Sequence, residues 1–107
     1  MFIAMNRFTV PAENAAAFEQ LWLNRDSRLK ELPGFVQFHM LKGPEEDGAR
    51  LYASHTVWET EDDFRNWTRS QQFRDAHTQA GEKRKLHSGA PRFEGFTAIQ
   101  EILAGEG

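Results

Sequence analysis

Thr60-Glu61-Asp62-Asp63-Phe64-Arg65-Asn66-Trp67-Thr68-Arg69-Ser70-Gln71-Gln72-Phe73-Arg74-Asp75-Ala76-His77 is the stretch on which the reading of the chain turns. Thr60 suits a helix N-cap: its hydroxyl meets the first free amides, Asp63 takes the reciprocal capping position, and acidic charge sits at the positive end of the dipole. A helix is therefore predicted to begin near residue 61. Ser70 is placed to cap a second helical piece that carries Phe73 and His77, one turn apart at i and i+4.

Outward from this helix the pattern changes period. Residues 35 to 42 and 50 to 58 are β-branched and aromatic runs, and the polar segment Lys42-Gly43-Pro44-Glu45-Glu46-Asp47-Gly48 between them reads as a hairpin loop. His39 and His55 fall inside these strands. With no ligand-type neighbour at fixed spacing, each is expected to hydrogen-bond within the sheet rather than bind metal. Residues 2 to 10 form a first strand with Phe2, Ala4, Asn6, Phe8 and Val10 on one face, Asn6 being the lone polar side chain there. An inward Asn marks a bulge, satisfies backbone locally, or aims a donor into a pocket. Pro11 and Glu13 suit a helix start, and Ala15, Phe18, Leu21, Trp22, Arg25 and Leu29 keep helical spacing up to Pro33-Gly34. Trp22 reads as core and Arg25 as a solvated charge at the margin. From Gly81 to Arg92 the chain reads as a polar loop of local positive charge, and residues 93 to 102 as the last strand.

Strand, helix, strand, strand, helix, strand is the order of a ferredoxin-like α+β domain (βαββαβ), with both helices on one face of an antiparallel sheet. The strands are apolar on both faces: Ile3 and Met5 oppose Phe2 and Phe8; Val36, Phe38 and Met40 oppose Phe35 and Leu41; Ile102 and Phe96 oppose Ile99 and Phe93. No third layer remains to cover the second face, so a homodimer with sheet-on-sheet packing is expected.

Composition narrows the function. At 107 residues, 39% apolar, the chain suits one domain, 1–107. Thirteen basic against 16 acidic residues give a net charge of −3, which argues against nucleic acid. The absence of cysteine excludes thiolate-ligated metal and fits a reducing cytoplasm. No apolar run approaches the ~20 residues that span a bilayer, so no membrane partner is expected and a cytoplasmic location is.

Trp67 and His77 are ten positions apart, ~15 Å along an unbroken helix and ~80° around it. They cannot share a small ion, but can line one broad flat ligand. Alternatively, His77 simply favours the negative end of a helix dipole.

Asn6-Arg7, Leu32-Pro33-Gly34-Phe35, Thr56-Val57-Trp58 and the pattern Phe64-x-x-Trp67-x-x-Ser70-x-x-Phe73-x-x-x-His77 give the chain a resemblance. It is similar to the antibiotic-biosynthesis-monooxygenase superfamily of dimeric α+β barrels, and within it to haem-degrading monooxygenases of the IsdG and IsdI type. The Gly-Phe and Thr-Val-Trp pieces are widespread in that superfamily; the set Asn6, Trp67, His77 is the specific part. The resemblance implies a catalytic Asn6, Trp67 and His77, with His77 the axial ligand of haem iron, Asn6 donating a hydrogen bond over the ring and Trp67 crowding it out of plane. It implies haem as both cofactor and substrate. Trp22 and Arg25 match positions that contact haem or its propionates, and Lys83, Arg84 or Lys85 are further propionate candidates. No Gly-rich nucleotide motif is present, so electrons are expected from a separate reductase or a small reductant. A cofactor-free quinol or aromatic monooxygenase and a non-catalytic haem-binding protein are the alternatives.

Overall fold

A computed structural model describes residues 1–25, 28–71, 73 and 86–105. It contains β1 (Phe2–Pro11), α1 (Ala15–Leu23), β2 (Phe35–Glu46), β3 (Ala49–Trp58), α2 (Glu61–Thr68) and β4 (Ser88–Thr97), with short 3-10 turns at Ala12–Asn14 and Leu29–Glu31. The strands form one antiparallel sheet in the order β2-β3-β1-β4. This is the ferredoxin-like α+β fold with both helices on one face.

Pleating decides which residues lie under the helices, since alternate side chains point to opposite sides. Phe8, Val10, Phe18 and Tyr52 form a buried cluster beneath α1, with Trp22 and Met40 packed on it. Phe2, Ala4, Leu29, Trp58 and Phe64 form a second beneath α2, joined by Phe35, Phe38 and Trp67. Under the first cluster the Tyr52 hydroxyl donates to Glu19 at 2.5 Å, and Lys42 reaches the same carboxylate at 2.9 Å. Burial, and then the Glu19 carboxylate, push the Tyr52 phenol up to about 12.

Several boundaries differ from the sequence reading, each for a local reason. The helix predicted from Pro11 to Leu29 is α-helical only over Ala15–Leu23. Arg28 takes a left-handed conformation (φ 53°), and Leu29 enters the core from a separate 3-10 turn. The hairpin loop is shorter than expected: β2 runs to Glu46, and Asp47 and Gly48 (φ 52° and 78°) make a two-residue turn in which both central residues need positive φ. An irregularity between Phe35 and Gln37 absorbs one residue, which puts Phe35 on the same face as Phe38 and Met40 rather than opposite them. The last strand begins earlier and ends earlier than expected. Ser88–Arg92, read as loop, belong to β4, with Ser88 and Arg92 facing Thr9 and Arg7 across an irregularity, whereas Ile99 and Ile102 lie beyond the strand.

At α2 the expected cap is present. The Asp63 amide donates to Thr60 Oγ1 at 3.1 Å, and that hydroxyl donates to the Asp63 carboxylate at 2.9 Å. Gly34 makes room for this cap. Its φ of +80°, and the Asp63 carboxylate standing where a Cβ would lie, leave space for no other residue. Ser70 caps the following turn, its Oγ accepting from the Phe73 amide at 3.1 Å. No helix of the described residues is long and apolar enough to cross a membrane.

Candidate functional site

Asn6 stands between the two aromatic clusters. It follows Ala4 of one and precedes Phe8 of the other on the same face of β1, and its register partners are Ser54 on β3 and Phe93 on β4. Its side chain is half-buried and has no hydrogen-bond partner among the described residues. The amide thus satisfies no backbone group among the described residues, while the irregularity expected as its other structural explanation lies just beyond it, between Arg7 and Thr9 in the pairing with β4. Ser54, buried on the same rung and face, was not singled out in the sequence. Only the register of β1 against β3 brings it beside Asn6, and single-chain periodicity carries no register.

Aromatic planes rise on both sides of this seam. On the α2 side, Trp67 stacks on Trp58 (centroids 5.5 Å, planes at 28°) and meets Phe73 edge-on at 4.9 Å. On the α1 side, Trp22 packs against Phe8 at 5.8 Å and stacks on Phe38 at 6.1 Å. Trp22 is thus half core and half wall.

Arg25 is not the solvated charge its position suggested. The helix ends at Leu23, and the chain folds the guanidinium back over the Trp22 ring, 4.2 Å from its centroid. Its Nε is buried without a hydrogen-bond partner among the described residues, and burial lowers its pKa. Arg25, Arg28, Lys30 and Glu31 line a cavity of about 620 Å³ together with Leu29, Phe35, Gln37 and Phe38. Cationic side chains beside aromatic rings suit the carboxylates of an otherwise apolar ligand.

The structure brings Asn6, Trp22, Arg25 and Trp67 to the helix side of the sheet. His77 lies outside the described residues, as do Lys83, Arg84 and Lys85. Among the described residues no group of three or more His, Cys, Asp or Glu is placed to hold a metal ion. An unpartnered Asn6 amide, a buried unpartnered Arg25 Nε and aromatic rings in the clusters on either side fit a broad, flat, anionic molecule. Haem is such a molecule.

Comparison with known proteins places the chain. The family pattern of antibiotic biosynthesis monooxygenases matches residues 1–79. The chain belongs to that family. A staphylobilin-producing haem oxygenase of Staphylococcus epidermidis is 30% identical over 81 residues, 76% of this chain and 77% of that protein. Among solved structures, SnoaB of Streptomyces nogalater, a cofactor-independent oxygenase, is 28% identical with a TM-score of 0.62, covering 94% of this chain and 95% of its own. The haem-degrader MhuD of Mycobacterium tuberculosis, solved with two haems in its active site, shares the fold at 22% identity and a TM-score of 0.72, over 95% of this chain and 99% of its own. The proteins to which the chain is similar thus include a haem oxygenase and an oxygenase described as cofactor-independent.

Proposed function

We propose that this chain, as one domain spanning 1–107, is an O2-dependent haem-degrading monooxygenase that opens the porphyrin to a biliverdin or oxo-bilin and releases iron. The observation that carries this reading is the unpartnered Asn6 carboxamide at the seam between facing aromatic walls, together with its staphylobilin-producing relative. Bound haem supplies the iron at which dioxygen is activated, and is itself the molecule consumed.

The residues divide the work. Asn6 projects its amide N–H from the sheet, where it can hold the reacting oxygen toward one edge of the ring. Trp67, fixed by its stack on Trp58, is a rigid wall that a planar ring meets from the α2 side. Trp22 offers a flat surface on the α1 side, and Arg25 offers charge to a propionate without losing another partner. His77 is the ligand to iron in this reading. Electrons come from a separate reductase or small reductant, a second copy of the chain closes the open sheet face, and the site of action is the cytoplasm.

Hemin added to the purified protein is expected to give a Soret band that bleaches with ascorbate and air. His77→Ala should abolish or strongly weaken that band; an unchanged titration would remove His77 as ligand. Trp67→Phe is expected to bind hemin and degrade it more slowly. Mass spectrometry of the product then identifies the bilin. The likeness to SnoaB favours a second reading, a cofactor-free oxygenase of quinols or related aromatics. That reading expects oxygen uptake with an electron-rich phenol and no stoichiometric hemin binding. Haem that stays intact under ascorbate and air would instead indicate a haem-binding protein without turnover.

A further inference from the structure

Two pairs of polar side chains face each other across the middle of the sheet, one pair on each side. His39 and His55 oppose each other on β2 and β3 on the open face, their ring centroids 5.6 Å apart. The hydrogen bonding within the sheet expected of them is absent at His55 Nδ1, which is buried without a partner among the described residues. That pair belongs to the surface given to a second copy. Asn6 and Ser54 oppose each other on β1 and β3 on the helix face, and this pair belongs to the seam.

Ser54 is only 9% exposed, and its hydroxyl, like the Asn6 carboxamide, has no hydrogen-bond partner among the described residues. Buried hydroxyls normally find one. Its neighbours along the same face of β3 have done so: the Thr56 hydroxyl donates to the Ala4 carbonyl oxygen at 3.2 Å, and the Tyr52 hydroxyl donates to Glu19. On the other sides of Asn6 the same face carries Ala4, Phe8 and its β4 partner Phe93, none with a polar side chain. Ser54 therefore holds the uncommitted hydroxyl that the sheet sets beside Asn6. A carboxamide carries an acceptor oxygen and a donor nitrogen of nearly equal shape, so packing alone does not choose which of them faces a ligand. A donor beside the oxygen does choose. Directly opposed side chains have Cβ atoms about 4.5–5.5 Å apart, so rotation about χ1 brings the Ser54 hydroxyl to the amide oxygen.

We propose that Ser54 is the positioning residue of Asn6: its hydroxyl donates to Asn6 Oδ1 and so turns the amide N–H outward into the seam, toward the bound ligand. The inference rests on the reading of Asn6 as the donor in haem turnover. Ser54 itself touches no reacting atom, and acts only by selecting one of the two ways the amide can point.

Nuclear magnetic resonance of the isotope-labelled full chain, haem-free and again with gallium protoporphyrin as a diamagnetic ring that is not degraded, reads the Asn6 side-chain amide directly. Its signals are identified by their loss in Asn6→Ala. Ser54→Val removes the hydroxyl and Ser54→Thr keeps it at nearly the same shape, which separates hydrogen bonding from packing; Ser54→Ala adds no bulk and should behave as Ser54→Val. The heteronuclear NOE of the Asn6 amide is expected to fall in Ser54→Val and to stay at the wild-type level in Ser54→Thr. In hemin degradation under ascorbate, Ser54→Val should lower kcat about tenfold with KM little changed, short of the roughly 100-fold that a fully misplaced group costs. Ser54→Thr should restore most of that rate. In an Asn6→Ala background Ser54→Val should add no further loss, since the two side chains act as a unit. An Asn6 amide equally ordered in Ser54→Val, or a loss of rate that multiplies with that of Asn6→Ala, overturns the proposal. A wild type that neither binds the porphyrin nor consumes hemin would instead overturn the haem reading, and the haem-free amide signal then decides by itself whether Ser54 holds Asn6.

Discussion

The two faces of the sheet obey the same alternation and end in different states. On the helix face Val10, Phe18, Tyr52 and Trp58 are almost completely buried by partners from their own chain, while at the β4 edge Phe93 is 51% exposed. On the open face the central Val57 and Ala53 are buried, but Ile3, Met5 and Leu51 are half-covered, and Leu41 and Phe96 remain 41% and 46% exposed. Just beyond β4, Ile99 is 97% exposed. The polar groups differ accordingly. Asn6 stands in a seam shaped by two walls, whereas His39 and His55 stand on a surface the chain does not close. Closure by its own helices makes a chemical site; lack of closure leaves a surface for assembly.

The largest effect expected from breaking this contrast falls on Asn6. Removing one preorganised hydrogen-bond donor from an active site costs roughly 10²–10³ in rate. Asn6→Ala should therefore lower hemin degradation under ascorbate by about 100-fold while hemin affinity changes little, as read by Soret bleaching and Soret titration. An unchanged rate would make Asn6 a structural amide.

Next is the difference between the faces in stability. Phe18→Ala empties a site enclosed by Phe8, Trp22 and Tyr52 and is expected to cost about 3–5 kcal/mol in urea unfolding. Leu41→Asp, on the exposed face, should instead leave each chain folded and reduce self-association, as read by sedimentation at several concentrations. A wild-type chain that is monomeric at all of them would refute closure by a second copy.

How much of this contrast was legible in the sequence depends on which signal carries each residue. The helix-face positions of Phe2, Ala4, Asn6, Phe8 and Val10 follow from alternation alone, as does the capped start of α2 at Thr60. Alternation fails wherever one residue is added, as at Val36, whose irregularity moved Phe35 to the other side. Partners across strands are invisible in the same way. Ser54 beside Asn6, and His39 facing His55, depend on register, which is set by the turn at Asp47-Gly48 and by the whole ladder. Arg25 departs from its helical spacing because that spacing runs on to Leu29 in the sequence while the α-helix itself ends at Leu23. Where a helix stops short of its apolar pattern, no periodicity encodes it.

The smallest expected effect concerns pH, and it acts only on the open face. Desolvation, and then the neighbouring His39, lower the His55 pKa below its ordinary value of 6.5. The folded chain thus binds the proton less readily than the unfolded chain does. The His55 contribution to stability is fully present above 6.5 and is lost as pH falls through the lower, folded value. Melting curves compared between pH 7.5 and 5 should show a greater acid loss for the wild type than for His55→Leu. Identical acid profiles for the two proteins would mean that the pair contributes nothing to the open face, and that its burial is only a consequence of the register.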